Sequence, residues 1–451
     1  MGNKQLTRKL GLTAALAVCV GEVVGSGIFV NTGKVARASG SAKLTIIAWL
    51  LGGLFVIPQM MITAELATAY PEDGYGYIYF KKAGSNALAF LNGWSFFLAL
   101  DPPGITVLAV AVIPYIAKFI PFFNNSLAGK FLSVALILLF TIPHYRSVKQ
   151  GALFNTIITV AKILPFVIII GLGFAYMKVG NLGAVATTAQ LGGASTGLWA
   201  GISATTWAYA GMGSVCYMSG EFKDPQKTLP KALIGSAVIV TLLYTLVSVA
   251  VLGNLPFAEV LASKTPLCDS LKYIPGLSTI GSNFVSIAAI IVILGSLSAS
   301  IMFQPRMQYA MAKDKLFFNV FAHVNPKYET PDWSILIQVA YSIILVFFTT
   351  LSTLLGYFTI VYLIANIGIF MTILWCRKKP DYHPAYKCPA MYLMLALAVF
   401  TSLGMAWGTI KWAPVSSLIS ALVVLATGLP MYYYWNNKNK KAVKQNAAEN
   451  N

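Results

Sequence analysis

The sequence predicts an all-α polytopic membrane protein of twelve transmembrane helices. Of its 451 residues 57% are hydrophobic and 10% charged, and apolar runs long enough for a helix to cross a bilayer recur from Leu10 to Trp435. The continuity of these runs selects helices, because the strands of a membrane barrel alternate polar and apolar residues over about ten positions. The spans fall near residues 11–33, 44–69, 87–116, 129–143, 152–177, 197–219, 231–253, 283–310, 333–350, 355–376, 391–410 and 413–435. No separate soluble domain is expected. The first run lies in a serial array and carries polar residues, so it reads as a span rather than a cleaved signal peptide.

The net charge of +18 raises the possibility of a nucleic-acid partner, which its distribution argues against. With the N-terminus in the cytoplasm, more than two-thirds of the 32 Lys and Arg fall on that side, the positive-inside bias of a membrane protein with both termini cytoplasmic. Lys438, Lys440, Lys441 and Lys444 then read as a topology signal in a polar, disordered tail at 436–451. Cys19, Cys216 and Cys376 lie in or at the ends of spans, Cys388 on the cytoplasmic side and Cys268 in an outer loop, which disfavours an internal disulfide framework. No clustered histidines, Cys-x-x-Cys, phosphate loop or nucleophile–base pattern appears. The chain is therefore not expected to be an enzyme or to carry a metal or cofactor.

The first span holds GEVVGSGIF at 21–29. A helix unwound at residues 25–29 exposes backbone N–H groups able to bind a carboxylate, whereas an intact helix has no donors to spare. Close packing of Gly21 and Gly25 is the other explanation. The second span ends in a loop broken by Pro71, Gly74 and Gly76, with Lys81 and Lys82 as solvated topology charges. In the third, LALDPPG kinks the helix and sets Asp101 at a depth where a carboxylate faces a partner, a cavity or a pathway. It is placed to meet a substrate side chain, to pair internally or to cap the kink.

Lys162 lies well inside the fifth span. A buried ammonium needs carboxylate or carbonyl partners and suits a proton-linked switch or a fixed substitute for a bound metal ion; snorkelling to the interface competes with both. The sixth span pairs Trp207 with Gly211 and Gly213, a second helix break five spans after the first. Five is odd, so successive five-span units have opposite orientation, and corresponding breaks in inverted repeats mark a central transport site. EFKDPQKTLPK at 221–231 reads as a charged loop. Tyr244 in span seven needs a partner for its hydroxyl. Ser296, Ser298 and Ser300 in span eight either satisfy helix carbonyls or line a polar cavity.

Several motifs together resemble the LAT branch of the amino acid, polyamine and organocation transporter superfamily over nearly the whole chain. They are GSGIF at 25–29, AEL-x4-P-x2-G-x-G-x-Y at 64–77, AK in span five, WAYAG at 207–211 and E-x2-DP-x4-LP-K-A at 221–232. The resemblance implies a LeuT-like fold, with inverted repeats at 11–180 and 197–376 and two additional helices at 391–435. It implies that the substrate carboxylate sits on Ser26, Gly27 and Ile28, and that the amine meets carbonyls near Val24 and at Trp207, Ala208, Tyr209 and Ala210. Trp207 takes the gating position. Lys162 stands in for a sodium ion by tying the first and eighth helices, Ser298 belongs to the same coupling set, and Tyr244 supports the first-helix loop.

The chain departs from that pattern in four places. Met212 replaces a tryptophan and is expected to widen a side-chain pocket shared with Asp101. Tyr75 replaces a glycine, a modest local change. Glu22 replaces a small or neutral residue, and pairs with Lys162 or meets a positively charged substrate, the pair being slightly favoured because either charge alone is costly. The outer loop between spans three and four lacks a cysteine, so no disulfide-linked heavy subunit is expected.

The expected function is sodium-independent exchange of small neutral L-amino acids by alternating access in the cell membrane. Proton-linked or exchange transport of cationic amino acids or amines is the alternative, and a non-transporting amino acid sensor a more distant one.

Overall fold

The computed structural model describes residues 8–191, 196–263, 265–277, 280–348, 351–412 and 414–449. Among them the extended pairings are three isolated bridges, Leu10 with Phe222, Ser41 with Val185 and Asp73 with Met218. All else that is regular is helical.

The first predicted span is two helices, α1 (Leu12–Val23) and α2 (Ser26–Ser39). The chain leaves α2 through Gly40, which at φ 76° takes a left-handed conformation that glycine adopts without a Cβ penalty. Ser41 then caps α3 (Ala42–Leu54) by accepting from the Leu44 N–H at 3.2 Å. Beyond α4 (Val56–Ala69), α5 (Gly76–Ala83) and α6 (Asn86–Ser95), the paired prolines act on the third span as their chemistry requires. Pro102 and Pro103 have no N–H to offer the carbonyls of Leu98 and Ala99, and the ladder loosens into a π turn at Phe96–Leu100 before α7 (Asp101–Ala111). Tyr341 supplies the missing donor, its hydroxyl lying 3.0 Å from the Leu98 carbonyl.

Asn125 and Ser147 cap α8 (Ser126–Arg146) and α9 (Val148–Ala175). The sixth span is fragmented into α10 (Leu198–Ala204) and α11 (Thr206–Tyr209). It is followed by α12 (Pro225–Asn254), α13 (Ile280–Phe303), α14 (Pro305–Lys313), α15 (Asp332–Phe348), α16 (Leu351–Met371), α17 (Met391–Trp412) and α18 (Pro414–Glu449). Among the described residues eight stretches are long and apolar enough to cross a membrane, against the twelve spans expected. The sixth falls short because it is interrupted, while α15 and Met391–Trp407 are apolar but shorter. The protein is an integral membrane protein.

Long α12 packs along α1, α3, α4 and α9, and α13 along α1, α7 and α9, so these two helices brace the break in the first span from two sides. The last two helices lie outside this core, α17 against α4, α10 and α16, and α18 against α6 and α16.

Three expectations about the polar segments change. The tail predicted to be disordered continues α18 to Glu449; its Lys, Ala, Gln and Glu are good helix formers, and the Asn439 amide donates to the Lys315 carbonyl at 2.9 Å. Most of the 221–231 loop is the start of α12, because Pro225 at N1 is preorganised for a helix. Lys81 and Lys82 are not simply solvated: Lys81 reaches Asp314 at 2.6 Å, beside the Tyr77 hydroxyl on the same carboxylate, and Lys82 reaches Glu72 at 2.7 Å.

Two fully buried carboxylates hold distant parts of the chain together. Glu65 accepts two bonds from the Arg377 guanidinium, at 2.7 and 2.6 Å, one from the Tyr382 hydroxyl and one from the Cys388 N–H. Glu221 accepts from Arg306 Nε at 2.8 Å, with the two side chains 0% and 1% exposed. Arg306 also donates to the Met302 carbonyl, and the Glu221 backbone carbonyl takes the N–H groups of Lys9 and Leu10 at the start of α1. Next to it the Asp73 carboxylate accepts from the Gly220 N–H at 2.8 Å. All five cysteines are free thiols and all are buried.

Candidate functional site

Both helix interruptions face one cavity. In the first, Val24 and Gly25 alone leave the helix, a shorter stretch than the 25–29 expected, and Ser26 already begins α2. Contact explains the glycines. A Cβ on Gly25 would stand 2.4 Å from Ser296 Oγ, and one on Gly27 would stand 2.5 Å from the Ala208 Cα, so α2 and α11 meet backbone to backbone. In the second interruption Ala210 is extended and Gly211 left-handed at φ 94°. The chain continues as 3-10 turns at Ser214–Tyr217 and Ser219–Glu221 instead of resuming an α-helix. Here the loop after α4 takes the backbone acceptors, Gly74 N–H bonding to Tyr217 and Tyr75 N–H to Cys216.

The cavity leaves room for the centres of water-sized molecules over about 80 Å³. Glu22, Gly25 and Gly27 line it from the first break; Trp207, Ala210, Gly211, Gly213, Ser214 and Tyr217 from the second; Phe96, Asp101 and Gly104 from the third span; and Phe303, Gln304, Phe358 and Tyr362 from beyond. Trp207 stands edge-on to Phe358 with ring centroids 4.6 Å apart, and Phe358 stacks on Tyr362 at 5.3 Å. Two carboxylates, and among the described residues no lysine, arginine or histidine, face this space.

Behind the first break Lys162 is completely buried. Its ammonium donates to the Gly21 carbonyl, to the Val24 carbonyl at 2.7 Å and to Ser296 Oγ at 3.0 Å, with the Val292 carbonyl at 3.4 Å. A helix end leaves carbonyls without intrahelical donors, and a lysine supplies three donors on one charged atom. The geometry is that of a tethered cation fastening α1 to α13. Tyr244 adds a second fastening, its hydroxyl 2.7 Å from the Val23 carbonyl.

Glu22 and Lys162 form no ion pair, contrary to the favoured expectation. The Glu22 carboxylate turns into the cavity and accepts from Ser300 Oγ, 2.8 Å from one oxygen and 3.0 Å from the other, because carbonyls and Ser296 already fill the Lys162 donor sphere. Ser298 does not join Lys162: its Oγ lies 2.8 Å from His144 Nε2, facing α8. At about 100° per residue, Ser296 and Ser300 share a helix face and Ser298 lies on the other side. That four-residue spacing was the available signal.

Of the remaining expected residues, Trp207, Ala210, Gly27 and Asp101 line the cavity. Val24, Ile28, Ala208, Tyr209 and Met212 are buried outside its lining. The Val24 carbonyl is held by Lys162, the Ile28 carbonyl accepts from Thr32, and the Tyr209 hydroxyl donates to the Trp49 carbonyl at 2.6 Å. Met212 packs in the core, so it neither widens nor lines a side-chain pocket. Ser26 opens α2, and its side chain lies outside the described residues. Asp101 is 3% exposed; Tyr217 donates to its Oδ1 at 3.2 Å and its Oδ2 has no partner.

Tyr75, expected to matter little, is a wall of the site. It holds φ 48° and ψ −125°, a sparsely populated region that costs a residue with a Cβ about 1–3 kcal/mol. Its ring stacks on Tyr217 with centroids 5.4 Å apart, its hydroxyl donates to Asn366 Oδ1 at 2.9 Å, and a Cβ on Gly213 would meet that hydroxyl at 2.8 Å. Tyr75→Gly relieves the backbone and empties that volume. In a competition assay long neutral amino acids should gain several-fold on short ones; an unchanged ranking would remove Tyr75 from the specificity wall.

Membrane-length helices with two unwound turns facing a mostly apolar cavity that holds two carboxylates are the build of a membrane transporter. The chain belongs to the amino acid permease family, whose sequence model matches residues 10–435. It is 28% identical to the serine/threonine exchanger of Bacillus subtilis, over 97% of this chain and 98% of that one. It is also 28% identical to the methylthioribose transporter of the same organism, over 97% and 95%. To the human large neutral amino acids transporter small subunit 2 it is 25% identical, over 97% and 83%. These relatives are transporters, and the chain is a transporter of an amino acid transporter family rather than an enzyme.

Proposed function

We propose that this protein is a sodium-independent exchanger of small neutral L-amino acids that works by alternating access. The observation that carries the proposal is the buried Lys162 ammonium, which occupies the junction of α1 and α13 with its own charge. A covalently held cation there leaves no vacancy for a mobile one. The substrate carboxylate is assigned to the N–H groups at the start of α2, where the partial positive charge of a helix terminus favours an anion. Trp207, on Phe358, is the proposed gate. The proposed architecture is two inverted repeats, 11–180 and 197–376, with 391–435 outside them, both termini cytoplasmic and the cell membrane as the location. The helices of spans one, two, six and seven move against the rest. Exchange follows if the loaded carrier reorients readily and the empty one poorly, a difference the ligand must supply by binding the two states unequally.

A second reading, transport of cationic amino acids or amines, is favoured by one observation: Glu22 and the unpartnered Asp101 Oδ2 are charges that a substrate cation would satisfy.

Counterflow in proteoliposomes tests both. Labelled L-serine should enter only vesicles preloaded with a small neutral amino acid, at a rate independent of sodium; binding without flux would point to a sensor. If lysine, ornithine or diamines compete better than serine, and Asp101→Asn lowers their competition at least tenfold, the cationic reading replaces the neutral one.

A further inference from the structure

We infer that the Glu22 carboxylate, rather than the carbonyls of the first helix, holds the ammonium of the substrate on the α1 side of the cavity. The inference rests on the amino acid reading of that cavity. A primary ammonium entering an apolar site needs acceptors, and the usual acceptors at a broken helix are the carbonyls of its last turn.

In this chain most of those carbonyls already hold a donor. Gly21 and Val24 accept from Lys162, Val23 accepts from the Tyr244 hydroxyl, and Glu22 shares the one proton of Ser296 Oγ, 3.1 Å away, with Gly21 at 2.9 Å. Every donor comes from behind the break, from α9, α12 and α13. Val24 itself does not line the cavity, and Val23, which does, gives its carbonyl to Tyr244. An ammonium arriving from the cavity would meet acceptors that already hold a donor, two of them the Lys162 ammonium.

The Glu22 side chain is placed to take over. It lines the cavity, and Ser300 steadies its carboxylate from one side, leaving lone pairs for a cation, since an ionised carboxylate has about four acceptor sites. It also reaches across to the second break: a Cβ on Gly211 would stand 2.6 Å from Glu22 Cγ, so only glycine lets this side chain lie against the unwound turn. An ammonium between Glu22 and that turn would lie across the break from the α2 N-terminus assigned to the substrate carboxylate, and the two charged ends of an amino acid would meet opposite charges. Glu22 is then a substrate-binding residue, and Asp101 is left to the side chain.

The test measures binding of L-serine to the purified full-length protein by isothermal titration, together with N-acetyl-L-serine, which keeps the carboxylate and side chain but has no ammonium. Glu22→Gln, which can still accept from Ser300, should weaken L-serine about ten- to a hundredfold, the worth of a charge-assisted bond. Glu22→Asp should recover part of the loss, and N-acetyl-L-serine should bind neither protein measurably. Unliganded melting temperatures of wild type and Glu22→Gln should agree within a few degrees, separating lost recognition from lost folding. L-serine binding by Glu22→Gln within twofold of wild type would overturn the role of Glu22 and leave the transporter reading standing. Absence of L-serine binding and counterflow in the wild type would instead overturn the amino acid reading, and this inference with it.

Discussion

Lys162→Ala should exchange substrate ten- to a hundredfold more slowly than the wild type while remaining within about twofold of its abundance in the membrane. The substitution removes two charge-assisted bonds to the end of α1 and one to Ser296. Bonds of that kind are worth about 1.5–3 kcal/mol each. The loss falls on the link between α1 and α13, so the energy balance between conformers should shift by about 2 kcal/mol, more than a tenfold change. Tyr244 still holds the Val23 carbonyl, and the vacated polar space suits a water molecule, which limits the damage to folding. Counterflow normalised to protein amount decides the matter. Undiminished turnover would make Lys162 a packing residue.

Arg306→Ala should behave in the opposite way, losing the protein before its activity can be measured. Arg306 and Glu221 are both fully buried, and removing one member of such a pair strands the other charge, at a cost of about 3–5 kcal/mol. The Glu221 segment also carries the backbone contacts to Leu10 and lies beside Asp73. Expression as a fusion to a fluorescent reporter, followed by size exclusion in mild detergent, should show aggregate in place of a monodisperse peak. A sharp peak with a melting temperature near that of wild type would mean that Glu221 finds another partner or a proton.

The pair Lys162 and Arg306 also shows what was legible in the chain. Lys162 stood out because it interrupts an apolar run, and the glycine breaks stood out for the same reason. Such anomalies are local, and the two breaks face one cavity. Arg306 falls at the very end of span eight, where a charge is unremarkable, and its partner lies 85 positions away. Glu65 is similar: its partners Arg377, Tyr382 and Cys388 are more than 300 residues distant. Nothing local distinguishes a solvated charge from one that later closes a fold. Tyr75 differs for a third reason: as a replacement for glycine it reads as a modest local change, whereas the larger consequence is where a ring attached at φ 48° must point. The serines of α13 divide by helical phase, Ser296 and Ser300 facing Lys162 and Glu22 while Ser298 faces His144.

The buried thiols have a practical consequence. Cys19 and Cys216 are 0% exposed, and Cys268, Cys376 and Cys388 are also shielded, so bulky water-soluble maleimides should find little to label in the native chain in this state. A single cysteine introduced along either broken helix would then report alone, without the prior construction of a cysteine-free background. Cys19 in α1 and Cys216 beyond the second break add a built-in reporter. Any motion that parts these segments would uncover a native thiol, and the rate of its alkylation would time the opening.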